Sequence, residues 1–302
     1  MKYYDYKRVL DAEILEFIKK TEDFYPKSSI CSDPSKERKI YSNLCKFFKV
    51  ARPKGVETVD FEVSQIRLRK YYSKKISKRI VLFVHGGGWV VGDLESHDDI
   101  CAEICSRTDS TVYAIDYSLA PENKHPAGLN DCEIILEHIQ KVENKNIVLI
   151  GDSAGGNLVA ALSDKSSNID KLVGQILIYP ALGNILNSGS IKTHQDAPML
   201  TASDMAYYNS VYFNNKSYLT DKTARPLISK TLQSIPKTYV FVAEFDPLKD
   251  DGLFYVEAIS RQGGSANFES GDGLVHGYLR ARHISKLAKD EFNKILKIIN
   301  KF

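Results

Sequence analysis

Residues 147–158 read Ile147-Val148-Leu149-Ile150-Gly151-Asp152-Ser153-Ala154-Gly155-Gly156-Asn157-Leu158. The first four are the unbroken apolar run of a strand buried on both faces. Gly-Asp-Ser-Ala-Gly closes that run, and an apolar, Ala-rich stretch follows at once. A chain that passes from strand to helix without a loop needs small residues on either side of the turning residue. Gly151 and Gly155 leave room for the close backbone approach, and Ser153 is left on a strained tip. A hydroxyl presented there, with a helix N-terminus behind it to favour negative charge, is well placed for nucleophilic attack. The bland alternative is a strand-to-helix turn with Ser153 as its cap. Partners elsewhere in the chain decide between the two.

Similar apolar runs occur at Arg79-Ile80-Val81-Leu82-Phe83-Val84, Val112 to Ile115, Leu172 to Tyr179 and Tyr239 to Ala243. Helical patterns separate them at Asp99 to Arg107, Asp131 to Lys141 and Asn157 to Ser163. Strand and helix in alternation mean an α/β fold, with a mainly parallel central sheet and helices on both faces. Ahead of this region, residues 8–20 and Ser35 to Val50 carry apolar faces at helical spacing, and Val56 to Tyr72 alternates like paired strands. After Tyr179-Pro180, some fifty residues carry no strand signal. Within them Thr201 to Phe213 predicts a helix, capped by Thr201 or Ser203 with Asp204 in its first turn. This insertion is rich in Tyr and Phe and suits a lid over a pocket. Helices over Phe254 to Arg261 and Leu287 to Ile299 close the sheet. An edge strand near residue 268 could pair with a second copy, giving a homodimer.

The totals exclude several classes. The chain has 302 residues, 43% of them hydrophobic, which is enough for one large core or two small ones. Its 41 basic and 38 acidic residues nearly balance, and no basic block marks a nucleic-acid partner. Lys70 to Lys78 reads as a solvated turn between strands. The five cysteines, an odd number without repeated spacing, do not form a disulfide framework. Cys101 and Cys105 sit four apart on a helix, but no neighbouring pair completes a zinc set, so no metal is expected. Met1 to Lys7 lacks the apolar segment of a signal peptide, and no stretch approaches a membrane span. A cytoplasmic protein without membrane insertion is the expectation.

His85-Gly86-Gly87-Gly88-Trp89 follows the third predicted strand. Three glycines free the backbone to aim N–H groups at one point, which suits an oxyanion hole completed by the N–H of Ala154. A phosphate cradle would need G-K-[ST] or G-x-G-x-x-G, and neither is present. His85 precedes the serine, the wrong chain order for the base of this motif, and reads as an orienter of the loop. The acid should end a later strand. Asp246 does so in Tyr239-Val240-Phe241-Val242-Ala243-Glu244-Phe245-Asp246-Pro247, and Pro247 prevents the strand continuing. Asp250 and Asp251 are second choices, explicable as helix-start carboxylates, and Glu244 is a candidate supporting acceptor. The base comes last. His276 lies in the glycine-flanked loop Gly271 to Tyr278, while His97, His125, His138, His194 and His283 read as core or surface residues. In this scheme His276 takes the Ser153 proton, and Asp246 holds the imidazole tautomer.

With those residues placed, the sequence closely resembles the hormone-sensitive-lipase-like esterases of the α/β-hydrolase fold, and among them the bacterial acetyl esterases. The shared motifs are HGGGW (85–89), DYSLAPE (116–122), GDSAGGN (151–157), EFDPLKDDG (244–252) and HGY (276–278). The resemblance implies a serine esterase acting on short acyl esters, through an acyl-enzyme and without a cofactor. It implies oxyanion donors at Gly87, Gly88 and Ala154, with Gly86 close by in the same ring. It also implies a cap built from the N-terminal helices (1–50) and the insertion (183–230), over a core in two parts, 51–182 and 231–302. Two positions depart from the family pattern. Ser118 stands where arginine is usual, which puts a structural ion pair in doubt, and Tyr278 replaces phenylalanine and would add a hydroxyl near the pocket. The partner expected is a small-molecule ester. The rival readings are an amidase or formamidase with the same triad, and a ligand-binding receptor on the same scaffold, as in plant hormone receptors that lack the histidine. His276 argues against the latter.

Overall fold

A computed structural model describes residues 5–25, 33–183 and 189–302. The expectations for Met1 to Tyr4, Cys31 and residues 184–188 of the insertion lie outside the described residues. Eight strands form one sheet in the order β1-β2-β4-β3-β5-β6-β7-β8. They are β1 (Val56–Val63), β2 (Ile66–Ser73), β3 (Arg79–Val84), β4 (Ser110–Asp116), β5 (Ile147–Asp152), β6 (Leu172–Ile178), β7 (Lys237–Phe245) and β8 (Ala266–Val275). The first two form a hairpin whose turn residues, Ser64 and Gln65, both have positive φ, the backbone sense a two-residue hairpin needs. β2 runs antiparallel to β4, and from β4 to β8 every pairing is parallel. The strand near residue 268 is β8, an outer edge of the sheet, as expected.

Among the described residues ten α-helices accompany the sheet: α1 (Tyr6–Val9), α2 (Ala12–Glu22), α3 (Pro34–Phe48), α4 (Asp98–Thr108), α5 (Ala127–Val142), α6 (Ala154–Lys165), α7 (Gly189–Thr193), α8 (Ala202–Tyr212), α9 (Lys249–Arg261) and α10 (Lys286–Ile299). Strand side chains alternate between the two faces. Val81 and Phe83 of β3 and Val148 and Ile150 of β5 join one core layer, with α2, α3, α4 and α10. Ile80, Leu82, Val84, Ile147 and Leu149 join the other, with α5, α6 and α9. Because both faces are covered, the parallel strands read as continuous apolar runs rather than alternating ones.

Two local expectations need correction. The apolar pattern over residues 8–20 is not one helix. The chain extends at Leu10, and Asp11 caps α2 by accepting the Glu13 N–H at 2.8 Å. A short acidic side chain that satisfies a free helix-end N–H outcompetes continued periodicity. Lys70 is not part of a solvated turn; it lies in β2, bonded to Glu143 at 2.9 Å and set over the Tyr113 ring. α9 begins at Lys249, directly after the turn at Pro247, which agrees with Asp250 and Asp251 as helix-start carboxylates and extends the apolar pattern read from Phe254 toward the N-terminus. Among the described residues Cys45, Cys101, Cys105 and Cys132 are free and buried. No helix of the described residues is long and apolar enough to cross a membrane.

Candidate active site

β5 ends at Asp152 and α6 begins at Ala154, so Ser153 alone makes the turn, at φ 53° and ψ −118°. Such a conformation costs on the order of 1–3 kcal/mol and persists only where the surroundings impose it. A Cβ on Gly151 would overlap the Gly155 carbonyl, and one on Gly155 would overlap the carbonyl oxygen of Val84. Both glycines are therefore required by contact with backbone, as the sequence implied. The Ser153 N–H donates to Ile178 O at 2.8 Å, pinning the tip to the end of β6.

Two distant loops reach this tip. His276 follows directly on β8, and its Nε2 lies 2.9 Å from Ser153 Oγ. Its Nδ1 lies 2.7 Å from Asp246 Oδ2. Asp246 is fully buried just past β7, and its other oxygen accepts the Leu248 N–H at 2.8 Å across the turn that Pro247 makes. Glu244 accepts the Gly273 N–H at 2.7 Å and so anchors the segment leading to His276. The Tyr179 ring packs against the imidazole at 4.7 Å. Asp250 and Asp251 do not join the site. Asp250 accepts the Ser190 N–H at 2.7 Å, and Asp251 accepts those of Leu182 and Gly183 at 2.7 and 2.9 Å. Beyond serving as helix-start carboxylates, they tie the segment after β6 to α9.

The glycine loop after β3 divides its labour. The Gly86 N–H donates to Asp152 Oδ1 at 2.8 Å, so Gly86 is withdrawn from the donor ring in which the sequence had counted it. Gly87 and Gly88 both have positive φ, 129° and 58°. Among the described residues no hydrogen bond engages the N–H of Gly87, Gly88 or Ala154. These three are free to meet an oxyanion, Ala154 because the first N–H groups of a helix have no partner within it. His85 is buried, stacked on Tyr117 at 4.4 Å, with Nδ1 2.8 Å from Gly86 O. A carbonyl can only accept, so Nδ1 carries the proton. Burial, and then the neighbouring His97, push the His85 imidazole down to about 4, which keeps it neutral. It orients the loop, as expected.

Sequence reasoning missed the hub beneath these elements. Asp152, read only as a spacer in the serine motif, receives the Gly86 N–H, His97 Nε2 at 3.2 Å and the Tyr179 hydroxyl at 3.4 Å. Burial works to raise its carboxyl, but the imidazole of His97 and the Gly86 N–H outweigh it and hold it down to about 2. One ionised carboxylate, on the residue before Ser153, thus links the glycine loop, His97 and the aromatic ring packed on His276. The only signal in the sequence was an acidic residue inside an otherwise small-residue turn. The two departures from the family pattern also resolve. Ser118 donates its N–H to Asp131 at 2.7 Å, while the guanidinium bracing this loop is that of Arg38, which pairs with Glu122 at 2.6 Å and donates to Val90 O and Ala120 O. Tyr278 turns into the core: its side chain is fully buried against the Tyr179 ring at 5.0 Å, and among the described residues its OH has no hydrogen-bond partner.

A family model described as the alpha/beta hydrolase fold matches residues 81–280. Esterase LipI of Mycobacterium tuberculosis is 31% identical over 224 residues, covering 71% of this chain and 70% of its own. An arylesterase of Saccharolobus solfataricus is 28% identical, covering 97% of this chain and 99% of its own. Among solved structures, EstE1, a thermostable carboxylesterase from a metagenomic library, superposes with a TM-score of 0.84 at 30% identity, covering 91% of this chain and 99% of that one. A strained Ser153 facing His276 at the carboxyl edge of a mainly parallel sheet is the site that such a fold provides, and the chain belongs to the alpha/beta hydrolases, in their hormone-sensitive-lipase-like branch.

Proposed function

We propose that the protein is a serine carboxylic ester hydrolase that cleaves short-chain, acetyl-like esters through an acyl-enzyme. The observation that carries the reading is the continuous chain from Ser153 Oγ to His276 Nε2 (2.9 Å) and from His276 Nδ1 to Asp246 (2.7 Å). Similarity to proteins named esterase, arylesterase and carboxylesterase supports it. Ser153 Oγ attacks the ester carbonyl carbon as His276 Nε2 takes its proton, and Asp246 stabilises the imidazolium that forms. The carbonyl oxygen becomes an oxyanion facing the N–H groups of Gly87, Gly88 and Ala154, each worth about 3 kcal/mol in the transition state. Collapse of the intermediate breaks the ester C–O bond, and His276 returns the proton to the departing alcohol. Water, deprotonated by His276, attacks the acyl-Ser153 ester, and the acid leaves as Oγ regains its proton.

The arrangement of helices supports a cap made of residues 1–50 and 183–230. Trp89 of the glycine loop stacks on Tyr212 of α8 at 4.5 Å, nearly parallel, so insertion and oxyanion loop share one wall. The open outer edge of β8 is where a second copy would pair to form the homodimer. Hydrolysis of p-nitrophenyl acetate tests the activity. Ser153→Ala should lower kcat by about 10⁴- to 10⁶-fold with the fold intact. Rates across two- to twelve-carbon acyl chains should favour the shortest. Faster cleavage of an anilide than of its matching ester would replace the reading with an amidase.

A further inference from the structure

Tyr208 of α8 lies against the glycine loop. Three of its ring carbons crowd the position that a Cβ on Gly88 would occupy, so the ring lies directly against this free-donor glycine. Tyr208 does not hold that position by packing alone. Its hydroxyl donates to Glu37 Oε1 of α3 at 2.6 Å, and the neighbouring Tyr207 hydroxyl reaches Glu37 Oε2 at 3.2 Å. Glu37 is 5% exposed. The adjacent Arg38 guanidinium is spent on Glu122, Ala120 O and Val90 O. Burial holds the Glu37 carboxyl above its ordinary value, against the opposing hydrogen bonds of Tyr208 and Tyr207. A carboxylate kept indoors with two phenols, and with no ion-paired cation among the described residues, is an expensive way to join two helices, since an apolar contact would do so at lower cost. What it adds is direction: it fixes the tilt of one aromatic ring against the Cα of Gly88. The start of α8 is fixed as well, by a capping box between Thr201 and Asp204.

We propose that Tyr208, held by Glu37, is the size-determining wall of the ester site. This deepens the esterase reading and rests on it. The carbonyl oxygen must sit within hydrogen-bond reach of the Gly88 N–H, so the carbonyl carbon lies within about one bond length more. A ring in contact with Gly88 therefore borders one of the two substituents on that carbon. With the hydroxyl tethered, the ring cannot rotate away to admit a longer chain. A hydrophobic wall removed or added at such a place changes relative rates by about 10- to 200-fold per group.

The test is the profile of kcat/KM over p-nitrophenyl esters of two to twelve acyl carbons, and over acetates of alcohols of increasing length. It uses the full-length chain and the variants Y208A, Y208F, Y208W and E37Q. Y208A should raise the rate on the longest esters relative to acetate by about tenfold or more in one of the two series, which identifies the substituent that the ring faces. Y208F and E37Q, which keep the ring but loosen its tether, should broaden the same series by about two- to threefold, and Y208W should narrow it. Should Y208A fail to fold, Y208F and Y208W carry the comparison. A wild-type protein silent toward every ester would overturn the esterase reading itself. An active wild type whose variants leave both profiles unchanged would overturn this assignment alone.

Discussion

Converting Asp152 to asparagine tests whether the glycine loop is aimed by a charge. The carboxylate accepts the Gly86 N–H at 2.8 Å and His97 Nε2 at 3.2 Å. Hydrogen bonds to a charged group contribute about 1.5–3 kcal/mol and neutral ones about 0.5–1.5 kcal/mol, so each of the two should lose about 1–1.5 kcal/mol. Asparagine can keep an oxygen toward Gly86, but its amide then meets His97 and the Tyr179 hydroxyl, two groups that are donors to the carboxylate. A total of about 2–3 kcal/mol, felt where Gly87, Gly88 and Ala154 meet the oxyanion, corresponds to a fall in kcat of about 30- to 150-fold. KM should move by less than about threefold, because the amides act on charge that appears only in the transition state. The assay is initial-rate hydrolysis of p-nitrophenyl acetate, with a circular dichroism melt to establish that the variant is folded. A folded Asp152→Asn enzyme with kcat within twofold of wild type would refute the reasoning.

Two further perturbations address the fold. Gly155→Ala pushes a methyl into the backbone carbonyls of Val84 and His85, which cannot step aside as a side chain can; the cost should be about 3 kcal/mol or more, against about 1–2 kcal/mol for Gly263→Ala, a control at φ 85° with nothing within 4 Å of the added carbon. Equal melting temperatures for the two variants would contradict that account. Asp98, fully buried at the start of α4, receives Arg52 at 2.7 Å, Lys49 at 2.8 Å, and Arg69 and the Tyr71 hydroxyl at 2.9 Å. Burial tends to raise its carboxyl, but the hydrogen bonds from Arg52, Lys49 and Tyr71 prevail and hold it well below the ordinary 3.8. A folded value lowered in this way gives stability that is present above about pH 4 and is lost as acidification protonates the group. Asp98→Asn should cost about 3–5 kcal/mol at pH 7 and flatten the loss of urea stability between pH 5 and pH 2; unchanged urea midpoints would count against the cluster.

The parallel strands were legible because burial on both faces leaves an unbroken apolar run, and their observed ends differ from the expected ones by only a few residues. The break at Leu10 was not, since Asp11 decides it by one hydrogen bond that periodicity does not register. The nucleophile turn could be read because its constraint is local: Gly151, Ser153 and Gly155 lie within five residues, and their sterics depend on little else. Chain order similarly singled out Asp246 and His276, each at the end of a strand.

What the sequence by itself determined, then, was the kind of sheet, the strained serine and the candidates for its partners. Only the tertiary structure decided which glycine of His85 to Trp89 keeps a free N–H, what Asp152 binds, where Tyr278 is buried and which cap side chain rests on Gly88. The physical reason is the crossover order of the sheet. β3 and β5 are neighbours, and the ends of the two strands bring together Gly86 and Asp152, 66 residues apart in sequence, a pairing set by parallel register rather than by nearby residues. A backbone N–H has one proton to give, and its recipient is chosen by whichever distant segment that register brings alongside.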